Sequence, residues 1–384
     1  MPGATEAQDS LGNENAVEVV KILCAGLNAH GQLVDQHKDD SRTFHSEGPY
    51  STSPEIFFSG WSTTAILHHD HLILRGHQSL QIPLDTSKPK LRCGFGDHNG
   101  LIGCLDTEGG LHLLSGTTSP DQQSTALERH GDDDSPPLSH VALAGNGKLA
   151  VTFKQAPNAR LTHVVEFNEL DGFLKWHSDP SASYPAQHHM LPGKPKQLLA
   201  GTGTFLMLME GSEVYTWGDP RYRSLGRSTT GEGATPADKP GLVEALGGLK
   251  VEKIACGGWL NAAVTTEMAL YIWGSGTPGT DRKIKCLDEA GAGEVVLVDM
   301  SQDDNDRFQD FVDVVDVGVG DNHIAAITEG GRMFVVGDNR NGQLGLGQDE
   351  TFFESWTPVE ILSGVRSVVC GPKATFAIVA ESSD

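Results

Sequence analysis

The stretches GCLDTEGGLHLLSG (103–116) and AAITEGGRMFVVG (325–337) decide how this chain folds. In each, the tetrapeptide Thr-Glu-Gly-Gly joins two apolar runs. Gly tolerates the positive φ that tight turns demand, so each stretch reads as a β-hairpin. Worn copies stand elsewhere: AILHHDHLILRG (65–76), ALAGNGKLAVTF (142–153), LMEGSEVYTWG (208–218) and AVTTEMALYIWG (263–274). Internal repetition of this kind sets the architecture before any single residue does.

Seven segments share one layout, an apolar strand, a small residue and a second apolar stretch. They are IFFSGWSTTAIL (56–67), LRCGFGDHNGLIGCL (91–105), SHVALA (139–144), KQLLAGTGTFLMLM (196–209), VEKIACGGWLNAAVT (251–265), VVDVGVGDNHIAAIT (314–328) and VRSVVCGPKATFAIV (365–379). A further strand follows each of the first six: LILRG, LHLLSG, KLAVTF, VYTWG, LYIWG and MFVVG. The seventh has no such follower, and its missing partner stands at the other end, in VEVVKILCAGLNAHGQL (17–33). The expectation is an all-β, seven-bladed β-propeller over 17–384, closed by the N-terminal strand pairing in the C-terminal blade. Closure of this kind removes two sheet edges. Residues 1–16 read as a disordered acidic tail. The region from about 155 to 195 fits the repeat poorly.

The 384 residues include 46 Gly spread along the chain, which suits many short strands joined by turns. The formal net charge of −23 opposes contact with a phosphate backbone, so no direct nucleic-acid partner is expected. No run has the apolar length of a membrane span, and residues 1–16 have no secretory pattern. A reducing compartment, cytoplasmic or nuclear, follows from this and from six scattered cysteines. Cys93, Cys256 and Cys370 each precede a Gly at matching positions and read as packing residues in separate blades. The linkers HGDDDSPPLS (130–139), RSTTGEGATPADKPG (227–241) and LVDMSQDDNDRFQD (297–310) read as solvated loops.

GDNRNGQLGLG (337–347), AGLNAHGQL (25–33) and WGDPRYRSLGR (217–227), with the strand form CGGWLNAAVT (256–265), resemble the regulator of chromosome condensation repeat. That resemblance runs over nearly the whole chain and implies a seven-bladed propeller, in accord with the strand count. Within the family the chain is most similar to small stand-alone propellers: a demethylase-escort type and a fungal α-tubulin suppressor type. The resemblance implies a non-catalytic scaffold, monomeric or heterodimeric, that binds a protein partner through loops on one face. That partner is a JmjC-type demethylase or a small metal-binding protein acting in tRNA or diphthamide modification. The founding member of the family implies an alternative, guanine-nucleotide exchange on a Ran-like small GTPase. The basic N-terminal tail of its nucleosome role is missing here.

Enzymatic motifs are scarce. Gly274-Ser-Gly-Thr-Pro-Gly279 has dinucleotide-loop spacing, but Pro278 and the DRKIK run argue against the helix such a loop needs. His68-His69-Asp70-His71 occupies a hairpin position, and adjacent strand residues point to opposite faces, so an exposed turn is expected before a metal site. His188-His189 reads as part of a Pro-rich loop. Asp303-Asp304-Asn305-Asp306 lacks the Gly and Glu of a calcium loop. No cofactor, metal site or catalytic residue is assigned. The candidate partner-binding residues follow the repeat Gly in several segments: Trp61, Phe95, Trp259, Asn261, Asp321, Asn322, His323 and Lys373. Trp supplies large contact area at interfaces. For the two Trp, space-filling between blades is an equal reading. Asp321 and His323 read as exposed polar groups, since burial of both demands matched partners.

Overall fold

The computed structural model describes residues 19–33, 38–50, 52–116, 125–131, 134–181, 183–276, 279–289, 294–300 and 312–381. The acidic N-terminal tail and Asp303–Asp306 lie outside them. Among the described residues the strands form seven four-stranded antiparallel sheets. The inner strands, in order of blades 1 to 7, are Glu55–Ser59, Leu91–Asp97, Leu138–Leu143, Pro195–Ala200, Val251–Gly257, Val314–Val319 and Val365–Gly371. Residues from all seven line one central channel of about 720 Å³.

Blade 7 closes the ring. Its order, from the outside in, is Ser41–Tyr50, Val19–Gly26, Ala374–Glu381 and Val365–Gly371. The N-terminal strand pairs without a break from Val19 opposite Glu381 to Gly26 opposite Ala374. The closure expected from the sequence is therefore present. Ser41–Tyr50 adds a fourth strand that the sequence pattern did not announce, because its largely polar residues alternate only weakly.

Second strands are enclosed on both faces. Every residue of Thr204–Met209, Leu260–Thr265 and His323–Thr328 is buried. That is why they read as continuous apolar runs instead of alternating ones. Trp217 and Trp273, on third strands, fill the space between blades and satisfy their indole N–H groups there. Trp217 Nε1 donates to Glu166 Oε2 at 2.9 Å, and Glu166 also accepts from Lys148 Nζ at 2.7 Å. Trp273 Nε1 donates to the Ser224 carbonyl at 3.1 Å. The two Thr-Glu-Gly-Gly turns sit where expected. In the first, the Asp106 carboxylate accepts from the N–H groups of Glu108 and Gly110, both at 2.8 Å, while Gly109 holds φ +88°.

Blade 3 departs from the sequence reading. KLAVTF contributes its second strand (Leu149–Phe153), not its third. The third and outer strands, Leu161–Phe167 and Ala186–Pro192, come from the region that fits the repeat poorly. Between them helix α1 (Leu170–Ser178) buries Phe173 against Phe167, with ring centroids 5.5 Å apart. His188 and His189 thus lie on a strand, not in a loop.

Loops that leave third strands clamp the next blade. Ser224 and Gln343 hold equivalent places in WGDPRYRSLGR and GDNRNGQLGLG. The Ser224 carbonyl accepts from Asn261 Nδ2 at 2.9 Å, and the Gln343 carbonyl accepts from Thr375 Oγ1 at 2.7 Å. Asn28 and Asn339 brace their own loops, each Oδ1 accepting from the N–H five residues on. Asp40 ties blades 6 and 7, accepting from Asn28 N at 3.1 Å and Asn341 Nδ2 at 2.6 Å.

Deleting residues 1–26 removes the whole third strand of blade 7 and strips Ser41–Tyr50 of its partner. The expected outcome is insoluble protein, or a melting temperature lower by on the order of 10 °C or more. Differential scanning fluorimetry and size-exclusion chromatography check it. Parental melting in the truncated chain would show that closure does not depend on this strand.

Candidate functional site

Successive strands of an antiparallel blade run in opposite directions. The turn from inner to second strand and the loop from third to outer strand therefore open on one face of the ring. On that face the inner turns touch backbone to backbone. Gly145 N donates to the Gly201 carbonyl at 3.0 Å, Thr202 N to Gly258 at 2.7 Å and Asp321 N to Pro372 at 3.1 Å. A Cβ on Gly258, which holds φ +54°, would collide with the Asp321 carbonyl. Only glycine fits there.

Three of the eight candidate residues are enclosed. Phe95, 4% exposed, belongs to the core between blades 2 and 3. Asn261 is spent on the Ser224 carbonyl. His323 has no exposed surface, and its Nε2 lies 3.0 Å from Thr375 Oγ1. The expectation of an exposed polar His323 therefore fails. Its side chain is enclosed in the space facing blade 7, where Thr375 supplies the partner.

The other five stand at the channel mouth and acquire neighbours from adjacent blades. Trp61, 39% exposed on blade 1, has Lys373 Nζ of blade 7 over its ring, 4.5 Å from the centroid. Lys373 in turn faces Asp321 of blade 6. Burial pushes the Asp321 carboxyl up to about 6, with the Lys373 ammonium and the Gly258 N–H acting in the opposite sense. Asn322 turns its amide onto the main-chain carbonyls of Gly276 and Asp321. Trp259 of blade 5, half-buried, carries the Arg221 guanidinium 5.3 Å from its ring centroid and Tyr222 edge-on at 5.1 Å.

Arg221 and Tyr222 come from the loop of blade 4 and were not among the sequence candidates. The degenerate repeat WGDPRYRSLGR held the signal: an Asp-x-Arg pair beside an aromatic residue. Asp219 clamps Arg221 through both carboxylate oxygens, with Nη2 donating to Oδ2 at 2.6 Å. Tyr222 and Arg223 hold left-handed backbone at φ 57° and 60°. Non-glycine residues adopt it only where surroundings enforce it, and functional loops are common hosts. Here Ser224 Oγ enforces it by donating to the Asp219 carbonyl at 2.7 Å. The result is a belt across blades 1, 7, 6, 5 and 4. Each of its two Trp rings has a cation beside it, and Arg221 is also clamped by Asp219.

The other sequence motifs lie away from the channel mouth or do not form the sites their spacing suggests. His69 sits in an exposed turn at φ +53°. Gly274–Gly279 follows a strand of an antiparallel sheet, so the βαβ unit of a dinucleotide loop is not formed; Thr277 and Pro278 lie outside the described residues. Among the described residues no three His, Cys, Asp or Glu side chains gather as metal ligands, and all six cysteines are free. Burial pushes the Cys256 and Cys370 thiols up to about 12, which suits packing and opposes nucleophilic use. Among the described residues no helix is long and apolar enough to cross a membrane.

Fold and channel mouth together define a seven-bladed β-propeller that presents a rigid polar-aromatic face. The family description "Regulator of chromosome condensation (RCC1) repeat" matches residues 212–264 and 330–378, and a second family of the same description matches 314–343. The chain therefore carries RCC1-type repeats over these residues, within a seven-bladed β-propeller. It is 30% identical over 215 residues to RCC1 domain-containing protein 1 of Mus musculus, covering 48% of this chain and 56% of that protein. It is also 30% identical over 173 residues to the mouse RCC1-like G exchanging factor-like protein, covering 43% and 35%. The chain thus spans about half, or less, of the length of these relatives. Yeast RCC1 (Prp20) bound to Kap60 superposes with a TM-score of 0.68 at 11% identity, covering 100% of this chain and 97% of that one. Prp20p of Saccharomyces cerevisiae, in a structure whose description includes binding to Gsp1p and histones, gives 0.64 at 13%, covering 96% and 93%. At these identities the structural likeness is one of fold.

Burial holds His323 down to about 4 from an ordinary 6.5, with Asp338 opposing in part. The unfolded chain takes up a proton there before the folded one does. Stability from this group is complete above pH 6.5 and drains as pH falls through 4. His323→Gln should flatten the acid limb of a stability–pH profile by on the order of 2–3 kcal/mol between those values. Urea unfolding at stepped pH measures it. Identical profiles for variant and parent would exclude this role.

Proposed function

We propose that the channel-mouth belt binds a protein partner, and that the partner is a Ran-like small GTPase whose nucleotide exchange the propeller promotes. The observation that carries the reading is the row Trp61, Lys373, Asp321, Trp259, Arg221 and Tyr222, held on five successive blades by short backbone-bonded turns. Rigid turns reduce the ordering entropy lost on association. Trp, Tyr and Arg are the side chains that most often dominate binding energy. The GTPase is favoured over other partners by two names: the exchanging-factor relative and the Gsp1p binding of Prp20p. Exchange needs no covalent step. A propeller that holds the nucleotide-free GTPase more tightly than the loaded form shifts the population toward release.

A second reading keeps the same face and changes the partner. The net charge of −23 favours a basic protein surface, such as a demethylase or a small metal-binding subunit, bound without exchange. Residence in nucleus or cytosol would follow the partner.

Release of fluorescent GDP from a panel of small GTPases separates the readings. The expected result is acceleration over the protein-free control. Trp61→Ala and Trp259→Ala should each weaken binding about tenfold or more while leaving the melting temperature unchanged. Control rates across the panel would remove the exchange reading. Full partner affinity in both Trp variants would remove the face.

A further inference from the structure

Two imidazoles meet on the outer edge of blade 3, with a methionine on the same side of the sheet. His163 stands on the third strand, and Met190 lies directly opposite it on the outer strand. His188 precedes Met190 by two positions, so both project to the same side of the sheet as His163. His163 Nε2 is 2.9 Å from His188 Nδ1, and the rings stack with centroids 5.1 Å apart and 21° between planes. His189 projects to the other side, toward Trp217 at 6.5 Å. Met190 is 57% exposed, although its neighbour Leu191 is buried.

The surroundings keep this pair available to a ligand. Phe153 covers the inner side, 5.6 Å from the His163 ring, and Trp176 backs Phe153 at 5.8 Å. One side of the pair is thus apolar, and the Met190 side is open to solvent. Imidazole–metal bonds of about 2.0–2.1 Å place two ligating nitrogens roughly 3 Å apart. The observed separation is already that close. A small rotation of the exposed His188 ring aims both lone pairs at one point.

We propose that His163, His188 and Met190 form a binding site for a soft transition-metal ion, with Cu(I) the ion their donor set fits. Thioether sulfur selects Cu(I), and imidazole accepts copper readily. The ion takes the place of the proton shared between the rings. The ring that donated it moves its proton to the other ring nitrogen through solvent, so both stay neutral and the site gains the charge of the ion. The consecutive His188-His189 pair diverges as strand geometry demands. The convergence comes from across the sheet.

Anaerobic titration of the full chain with Cu(I) held by the coloured chelator bicinchoninate reads the affinity. One ion per chain should transfer, with nitrogen and thioether sulfur around it by X-ray absorption. His163→Gln and His188→Gln should each weaken capture at least about tenfold, since loss of an outer partner alone costs about that much. Met190→Leu should weaken Cu(I) capture and leave Zn²⁺ binding unchanged. An unchanged melting temperature shows that each variant is folded. Parental Cu(I) affinity in a folded His variant, or a bound ion surrounded only by thiolate sulfur, overturns the proposal.

Discussion

Antiparallel pairing between Val19–Gly26 and Ala374–Glu381 carries the closure of the ring, and every inner turn depends on that closure. An open array of seven blades would leave two sheet edges unpaired and let the first and last blades drift. With the ring shut, inner turns of neighbouring blades touch. The contacts from Gly145 to Gly201, Thr202 to Gly258 and Asp321 to Pro372 are main-chain hydrogen bonds with no side chain between them. Glycine at 201, 257, 258, 320 and 371 keeps the turns this close, because a Cβ at any of these positions would meet a neighbouring blade. The geometry of the mouth is thereby set by covalent and hydrogen-bond dimensions, not by flexible side chains.

That rigidity explains why the mouth can hold a strained loop. Tyr222 and Arg223 occupy left-handed backbone conformations costing on the order of 1–3 kcal/mol each. Three bonds anchor the residue that follows. Ser224 reaches back to the Asp219 carbonyl, and its own carbonyl accepts from Asn261 and Trp273 of blade 5. The strain aims Tyr222 and Arg221 at Trp259. The clamp common to the repeats thus has a second effect in blade 4: it delivers side chains to a neighbouring blade's turn.

Repeat number and closure are legible in the sequence because they depend on local patterns: apolar runs, a Gly or small residue and a hairpin turn. Three things are not. The Ser41–Tyr50 strand is largely polar and shows itself only through its partner, Val19–Gly26. Blade 3 replaces the usual turn with Lys154–Arg160 and inserts α1, so its outer half has no Gly signal to find. The division of the eight candidate residues into exposed and enclosed also escapes. Alternation distinguishes the two faces of a strand, but a second strand is buried on both, so Asn261 and His323 look polar and are nonetheless interior. The cations on Trp61 and Trp259 belong to other blades. Such contacts exist only after the ring is closed.

Net charge and local charge act at different ranges here. A total of −23 is felt by an approaching partner, but salt screens it over about 8 Å at physiological ionic strength. Inside that distance a partner docked at the mouth, as proposed, would meet Lys373 and Arg221, each on a Trp ring. A cation–π contact at an exposed site contributes only about 0.5–1 kcal/mol, and it strengthens when water is removed. Docking removes that water. The same pairs that barely stabilise the free propeller therefore hold the two Trp rings in position for whatever covers them. On the proposed reading, approach is governed by the whole surface, and fit by five blades at one end of the channel.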